Sequence, residues 1–598
     1  MQKADGQERS ANGFWTTYIG LDLRSLALLR ILFSAVILGD LANRFLHLSE
    51  HYGVGSAYPP EAMQHVAPLQ NGWSIFLASA ENVFPYFPVL VFAVAFLSAL
   101  ALFVGWQTRM ATILTWVSIL IIQNMDRLIL QGGDTMIRIV LLIGIFLPWD
   151  RYFSVDSALR YDEKKPTRAA SVWTLALLLQ ISFIYLFAAL EKSLGSSWHD
   201  GTAVYRALSS FYASHLGLFF LRFPDLLTFL TYAVRIFQLS VVFFIFSPRA
   251  TAVTRTIAMT LLIGMHFSFN LFLNIGPFSY ISMAIVSVLA PTELWEYLRR
   301  KTLRWFGSVT IYYDGDCGFC RKSSYLIRTF LLLPNTDVKT AQDAAEIYAA
   351  MRAHDSWVIV DENGRRTFTY QAAITLVEHS PLFFWIAPLM RPRWARAIGE
   401  RTYRYIANRR SRTCTISRSA TSLPPRILRA AKLFSTALGI VYIGTIILLN
   451  YSTVRTLQMP DMFWRISNTL GTAQMWSMFA PNPTANRGWY IVDGTLENGV
   501  HVNAFDPSQP IYFEPPEYLP PTYGNHRWLK YLEAISQPQN AAFRPYFAAY
   551  LCGSWNTTHP LDRLKSVDIT FMRARALPDS KTSSSTPVHI ASSTCDMK

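Results

Sequence analysis

The stretch Val309-Thr310-Ile311-Tyr312-Tyr313-Asp314-Gly315-Asp316-Cys317-Gly318-Phe319-Cys320 reads as a short β-rich strand, an acidic turn and a Cys-x-x-Cys pair. The residues that follow, Arg321 to Leu333, have the character of a helix. That order puts Cys317 at a helix N-terminus, where backbone N–H groups and the helix dipole favour the thiolate. Cys320, one turn later, is placed to resolve a mixed disulfide. Read instead as half a zinc site, the pair lacks ligands: zinc takes about four, and no second Cys-x-x-Cys or paired histidine follows. No metal is expected.

Both flanks of this dithiol are membrane-like. Of the 598 residues, 51% are hydrophobic and only 16% charged, which suits a polytopic membrane protein with soluble appendages. Apolar runs of bilayer length lie near 25–45, 86–106, 110–130, 170–190, 225–247, 256–273 and 430–450. Shorter runs near 135–149 and 277–292 bring the expectation to about nine helices, eight before the dithiol and one after. Residues 1–23 are polar to amphipathic and no small-residue cleavage site follows the first apolar run, so no cleaved leader is expected. The expected units are a membrane domain over 1–300, a dithiol domain over 305–415, a last helix over 428–451 and an exported domain over 452–598.

The net charge of +15 fits membrane topology without invoking nucleic acid. No Lys or Arg occurs between Arg44 and Arg109, so that loop reads as outside. Arg109, the Arg160-Lys164-Lys165-Arg168 group, Arg249 with Arg255, and Arg299-Arg300-Lys301-Arg304 fall on the opposite, cytoplasmic side. An Arg-rich stretch from Arg391 to Arg412 keeps the dithiol domain there too. The N-terminus and dithiol are thus expected in the cytoplasm and residues 451–598 in the periplasm, as in a bacterial inner membrane.

Ionisable residues at membrane depth are costly and mark candidate sites. Arg30 and Asp40 lie on the first helix, and Asp134 and Arg138 stand four apart after Gly132-Gly133, a spacing that also suits a structural ion pair. The fifth helix ends in Ala188-Ala189-Leu190-Glu191-Lys192, followed by Gly195-Ser196-Ser197-Trp198-His199-Asp200-Gly201. Lys192 either snorkels to the headgroups or, facing a cavity, serves as a general base. His266 and Asn270 lie on the seventh helix, where a lone histidine is more often a packed or hydrogen-bonded core residue than a catalyst.

Together these segments resemble the vitamin K-dependent gamma-carboxylase superfamily and its bacterial HTTM (horizontally transferred transmembrane) branch. The resemblance covers about residues 15–298. It rests on the Lys192 segment through Trp198 and Gly201, on His266 through Phe278-Ser279-Tyr280, and on Gly132-Gly133-Asp134. It implies that Lys192, and more weakly His266, act on a reduced, vitamin K-like quinone that then reacts with oxygen, with an exported protein or peptide as acceptor. Asp134, Arg138, Asn270 and Trp198 are the expected binding residues. The chain departs at Gln123-Asn124-Met125-Asp126, where a histidine would be expected, and at Gln238, where an acidic residue would be.

Tyr313-Asp314-Gly315-Asp316-Cys317-Gly318-Phe319-Cys320, with Asp361-Glu362-Asn363-Gly364-Arg365 and Ala407-Asn408-Arg409-Arg410, resembles the DCC family of thiol–disulfide oxidoreductases over about 308–414. That resemblance implies a thioredoxin-like α/β fold with Cys317 as the attacking thiol.

In the tail, Trp476-Ser477-Met478-Phe479-Ala480-Pro481 resembles the HTTM tail. Two strand-like runs flank Asn498-Gly499, a hairpin signal, and Arg527 to Leu532 is helix-like, predicting a mixed α/β domain. Cys552 and Cys595 can pair in an oxidising compartment, while Ser/Thr-rich 578–598 is expected to be disordered. Three functions fit: a quinol-linked membrane enzyme with a fused dithiol domain, a membrane-anchored oxidoreductase whose only catalyst is Cys317/Cys320, or a non-catalytic scaffold.

Overall fold

In the computed structural model, residues 16–65, 73, 77, 80, 84–161, 166–333, 336–409, 424–454, 458–484, 486–575 and 584–595 are described. Lys164, Lys165, Arg410, Arg412 and Cys414 lie outside them.

Among the described residues six helices are long and apolar enough to cross a bilayer: α1 (Leu23–Leu46), α2 (Phe87–Val104), α5 (Val172–Lys192), α6 (Pro224–Ile245), α7 (Thr251–Phe272) and α14 (Pro425–Val454). The number is seven if a bent pair, α8 (Phe278–Val286) with its short continuation and α9 (Thr292–Phe306), is one span. The three other expected spans are shorter or more polar. The helix α3 (Thr108–Met125) turns Thr108, Thr112, Thr115 and Gln123 into the protein. The helix α4 (Gly132–Gly144) has 13 residues, about 20 Å by rise per residue and short of a bilayer core. It stops where the Trp149 ring fills the place a Cβ on Gly144 would occupy.

Buried polar groups organise the two ends of the bundle. At one end, Asp22 caps α1 by accepting from Arg24 N–H at 2.8 Å, and β1 (Leu21–Asp22) pairs antiparallel with β2 (Arg168–Ala169) just before α5. Arg30, fully buried, donates to the carbonyls of Leu102, Phe103, Trp149 and Phe153 and so ties α1 to the end of α2 and the turn after α4. Ser25 Oγ donates to Ala290 O at 2.6 Å, which brings the end of α8 to the same place.

The opposite end is held by charge. Arg44 donates to Asp40 at 2.8 Å and to Asp134 at 2.5 Å. Arg527, from the tail helix α15 (His526–Ser536), donates to Asp40 at 2.7 Å and to Asp134 at 2.8 Å. All four side chains are at most 3% exposed. The expected pairing of Asp134 with Arg138 does not form. Arg138 instead donates to Gln123 Oε1 at 2.5 Å and to Gly471 O at 3.4 Å, because the interhelical partners of Asp134 outcompete a same-helix one.

The dithiol domain has a four-stranded sheet in the order β4-β3-β5-β6, with β3 (Val309–Tyr313) parallel to β4 (Asp337–Thr340) and antiparallel to β5 (Val358–Asp361). The edge strand β6 (Arg366–Thr367) is antiparallel to β5. Helices α10 (Gly318–Phe330), α11 (Ala345–His354), α12 (Thr369–Glu378) and α13 (Arg393–Arg409) accompany it.

The tail sheet is antiparallel in the order β10-β9-β7-β8, where β7 is Trp489–Leu496, β8 His501–Asn503, β9 Leu564–Arg573 and β10 Thr586–Thr594. The β7–β8 hairpin turns at Asn498-Gly499, with Gly499 at φ +83°. Cys552, on α16 (Arg544–Thr558), forms a disulfide with Cys595. The expected disorder over 578–598 is corrected in part. Thr586 to Thr594 pair along β9 from Thr586↔Arg573 to Thr594↔Ser566 and bury Ile590, and threonine is well suited to such a strand. Residues 578–583 and 596–598 lie outside the described residues.

Replacing Arg527 leaves the charge of Asp40 and Asp134 only half compensated inside the protein. Arg527→Leu should lower stability by about 3–5 kcal/mol, read as a fall in the thermal midpoint in detergent, and adding Asp134→Asn should restore part of it. An unchanged midpoint would rule out a structural role for the cluster.

Candidate functional site

At the charged end, the bundle opens into a cavity of about 820 Å³ with mainly apolar walls. Lys192, the last residue of α5, lines it and is 4% exposed. Its Nζ lies 5.3 Å from the Trp198 ring centroid. No carboxylate lies within 4 Å of it among the described residues.

The chain from Gly195 to Trp198 is gripped by the tail. Asn482 Oδ1 accepts from the Ser197 N–H at 2.8 Å and hydroxyl at 2.7 Å, and the Trp198 indole donates to Phe479 O at 2.9 Å. Gly195 is required at this contact, since a Cβ there would fall 1.7 Å from Pro481 O. The aromatic tail run is therefore a wall of the cavity.

His266 lines the same cavity from α7 and is 1% exposed. Its Nε2 is 2.9 Å from the Tyr185 hydroxyl, while Nδ1 has no hydrogen-bond partner among the described residues. Gln238, on α6, likewise leaves Oε1 without a partner among them. Such buried polar atoms in a mainly apolar cavity suit a ligand carrying a few polar groups on an apolar body.

The dithiol forms a second centre. Cys317 caps α10, its sulfur 3.4 Å from Cys320 N, and its own N–H donates to Asp314 O at 3.1 Å. Gln342 clamps the acidic turn, accepting from Gly315 N at 2.9 Å and donating to Asp314 Oδ1 at 2.8 Å. Cys317 is buried and Cys320 half-buried. One turn on, the Arg321 guanidinium sits 4.1 Å from the Tyr161 ring centroid, and Tyr325 meets Tyr161 edge-on at 5.0 Å. Tyr161 precedes α5, and Lys192 ends it, 21 residues or about 30 Å along the axis. The two centres are at opposite ends of the bundle.

Residues 18–295 match the HTTM domain model, and residues 311–415 match that of the DCC1-like thiol-disulfide oxidoreductase. The chain is a fusion of these two domains. No curated protein and no solved structure matches it.

Within the HTTM domain, Lys192, Trp198 and His266 share one cavity, as their spacing along the chain left open. Asp134, Arg138 and Asn270 do not line it. Asp134 belongs to the ion cluster, Arg138 bonds Gln123 and Gly471, and Asn270 is half-buried one turn beyond His266. Within the DCC1-like domain, Cys317 and Cys320 are where the strand–turn–helix reading puts them.

Sequence reasoning missed the tail's contribution. His526, Lys530 and Glu533 line the cavity from α15, and Tyr212 faces them, donating to Glu533 at 2.7 Å. Lys530 bonds Glu533 at 2.9 Å and also the Tyr212 hydroxyl. The signal was present: 526, 530 and 533 follow the spacing of one helical face.

His526 is held far below the ordinary imidazole range, to about 3, first by burial and then by Arg527 and Lys530. The unfolded chain gains this proton near pH 6.5 and the folded chain only near 3, so stability from this group is full above about pH 6.5 and falls as pH drops through that window. His526→Gln should therefore lose less stability than the native chain between about pH 7 and about pH 4 in thermal-unfolding series. Parallel losses would contradict a buried neutral imidazole.

Proposed function

We propose that this is an integral membrane enzyme in which Lys192 acts as a general base on an apolar, quinol-like molecule held in the HTTM cavity. The observation that carries the reading is the buried Lys192 amine set over Trp198 in a large, mainly apolar cavity, with no carboxylate in ion-pair range among the described residues. A reduced quinone, when bound, supplies ionisable ring hydroxyls and two electrons for dioxygen. The unpartnered His266 Nδ1 and Gln238 Oε1 fit such a ring with oxygens on its rim. Lys192 takes the hydroxyl proton at Nζ, and the Trp198 face stabilises the ammonium so formed. With Nε2 accepting the Tyr185 hydroxyl, His266 offers Nδ1–H to an oxygen. The apolar walls and the Phe479–Asn482 segment exclude water from these groups.

On this reading α3, α4 with its following turn, and α8 also cross, packed against the longer helices, making nine crossings. The end bearing Arg109, Arg160, Arg249 and Arg255 is cytoplasmic and the tail periplasmic, as in a bacterial inner membrane. The DCC1-like domain is thioredoxin-like, a reading supported by one parallel and two antiparallel strand pairs in the order β4-β3-β5-β6 with the dithiol capping the first helix. Cys317 attacks a disulfide and Cys320 resolves it. Placed about a helix length from Lys192, the dithiol serves it only through a diffusing carrier, or works independently.

The test is quinol oxidation with epoxide detection in membranes supplied directly with reduced naphthoquinone and oxygen. Lys192→Ala should cost at least about 100-fold in rate, and Cys317→Ser should leave the rate near native. The reverse pattern would make the dithiol the only catalyst, and indifference to both would leave a scaffold.

A further inference from the structure

The DCC1-like domain carries an apolar stripe that its own core does not use. On α13, Ala395 and Gly399 are buried, Gly399 against the Tyr370 ring, while Glu400 bonds Thr369 and Tyr403 bonds Ser356, so that face is the packed one. Roughly opposite it, Trp394, Ile398 and Tyr405 fall at i, i+4 and i+11 and are 68%, 57% and 57% exposed. Arg401 lies within this stripe, with Arg404 and Arg409 beside it and the Arg409 guanidinium 4.0 Å from the Tyr405 ring centroid.

The helix α9 repeats the pattern. It leaves the preceding span at 90° and exposes Leu298 and Trp305, the latter at 79%, among Arg299, Arg300, Lys301 and Arg304. Phe306 at its end touches Phe384 at 5.2 Å, and Trp385 and Leu389, just before α13, are also exposed. Two amphipathic helices, each with aromatic and aliphatic side chains between arginines, thus occur at the DCC1-like domain, α9 leading into it and α13 near its end.

We infer that this face of the DCC1-like domain lies on the membrane surface and binds anionic lipid headgroups. The right-angle turn after α8 directs α9 along the bilayer plane when the bundle stands upright. Indole rings favour the headgroup level, and guanidinium groups bond lipid phosphates in pairs while their stems cover apolar surface. An amphipathic helix with a cationic rim binds anionic bilayers through both terms. The charge complementarity selects an anionic bilayer over a second copy of the chain, which would bring like-charged rims together. The surface holds the dithiol domain flat, and the inference is independent of any chemistry at Lys192.

The test uses the full chain with Cys317→Ser, Cys320→Ser and Cys414→Ser, and a nitroxide label on either Ile398→Cys or Asn363→Cys. Asn363 is an exposed position in the turn between β5 and β6. In vesicles of phosphatidylcholine with phosphatidylglycerol, the label at 398 should collide with oxygen and be severalfold protected from a water-soluble nickel chelate, while the label at 363 stays open to the chelate. Arg401→Gln, Arg404→Gln and Arg409→Gln together, or vesicles of phosphatidylcholine alone, should remove most of that protection. Equal chelate access at 398 and 363 would overturn the inference. So would protection indifferent to lipid charge, or protection in detergent accompanied by spin–spin broadening, which would assign the face to a second copy.

Discussion

The Arg44–Asp40–Arg527–Asp134 cluster is the constraint on which the rest of the arrangement depends. Two carboxylates and two guanidinium groups are shut away from water in a neutral set, so each charge is tolerated only because the others are present. Three of the four come from α1 and α4, and the fourth comes from the tail. The membrane bundle and the docked tail therefore stabilise each other. Neighbouring contacts extend the joint, with the Trp528 indole donating to Glu50 at 2.5 Å and Tyr531 to Ala57 O at 2.6 Å.

That docking gives the cavity its outer wall. Once Arg527 is seated, the same helix presents His526, Lys530 and Glu533 to the space above Lys192, and the Phe479–Asn482 segment closes on Ser197 and Trp198. The bundle alone would leave Lys192 open at a helix end, where an ammonium simply reaches for water. With the tail in place it is 4% exposed beside an aromatic face. A structural salt-bridge set and a candidate chemical site are thus linked through one helix.

Local patterns were legible in the chain, as was the Cys552–Cys595 pairing, while the long-range ion pairs were not. The strand–turn–helix around Cys317 and the hairpin at Asn498-Gly499 follow from residue preferences over a few positions, and both form as read. Lys192, Trp198 and His266 were singled out and do meet in one cavity. The i,i+4 spacing of Asp134 and Arg138 misled, because Asp134 is satisfied by residues 90 positions before it and 393 after it. Six of the nine apolar runs form helices long and apolar enough to cross a bilayer among the described residues, whereas α3 carries inward polar side chains and α4 is short. The Ser/Thr-rich end concealed a strand because its partner, β9, supplies the order its composition lacks.

The placement of the two centres frames the chemistry: an apolar cavity at the charged end of the bundle and a dithiol about a helix length away at the other. The central claim, that the cavity around Lys192 holds a quinol-like ligand, is tested most directly by photolabelling the full chain in membranes with an azido-naphthoquinone and mapping the adducts by mass spectrometry. The account predicts label on cavity-lining peptides of α5, α6 and α7 that excess unlabelled quinone competes away. Label confined to the DCC1-like domain, or spread over exposed helix faces without competition, would contradict it.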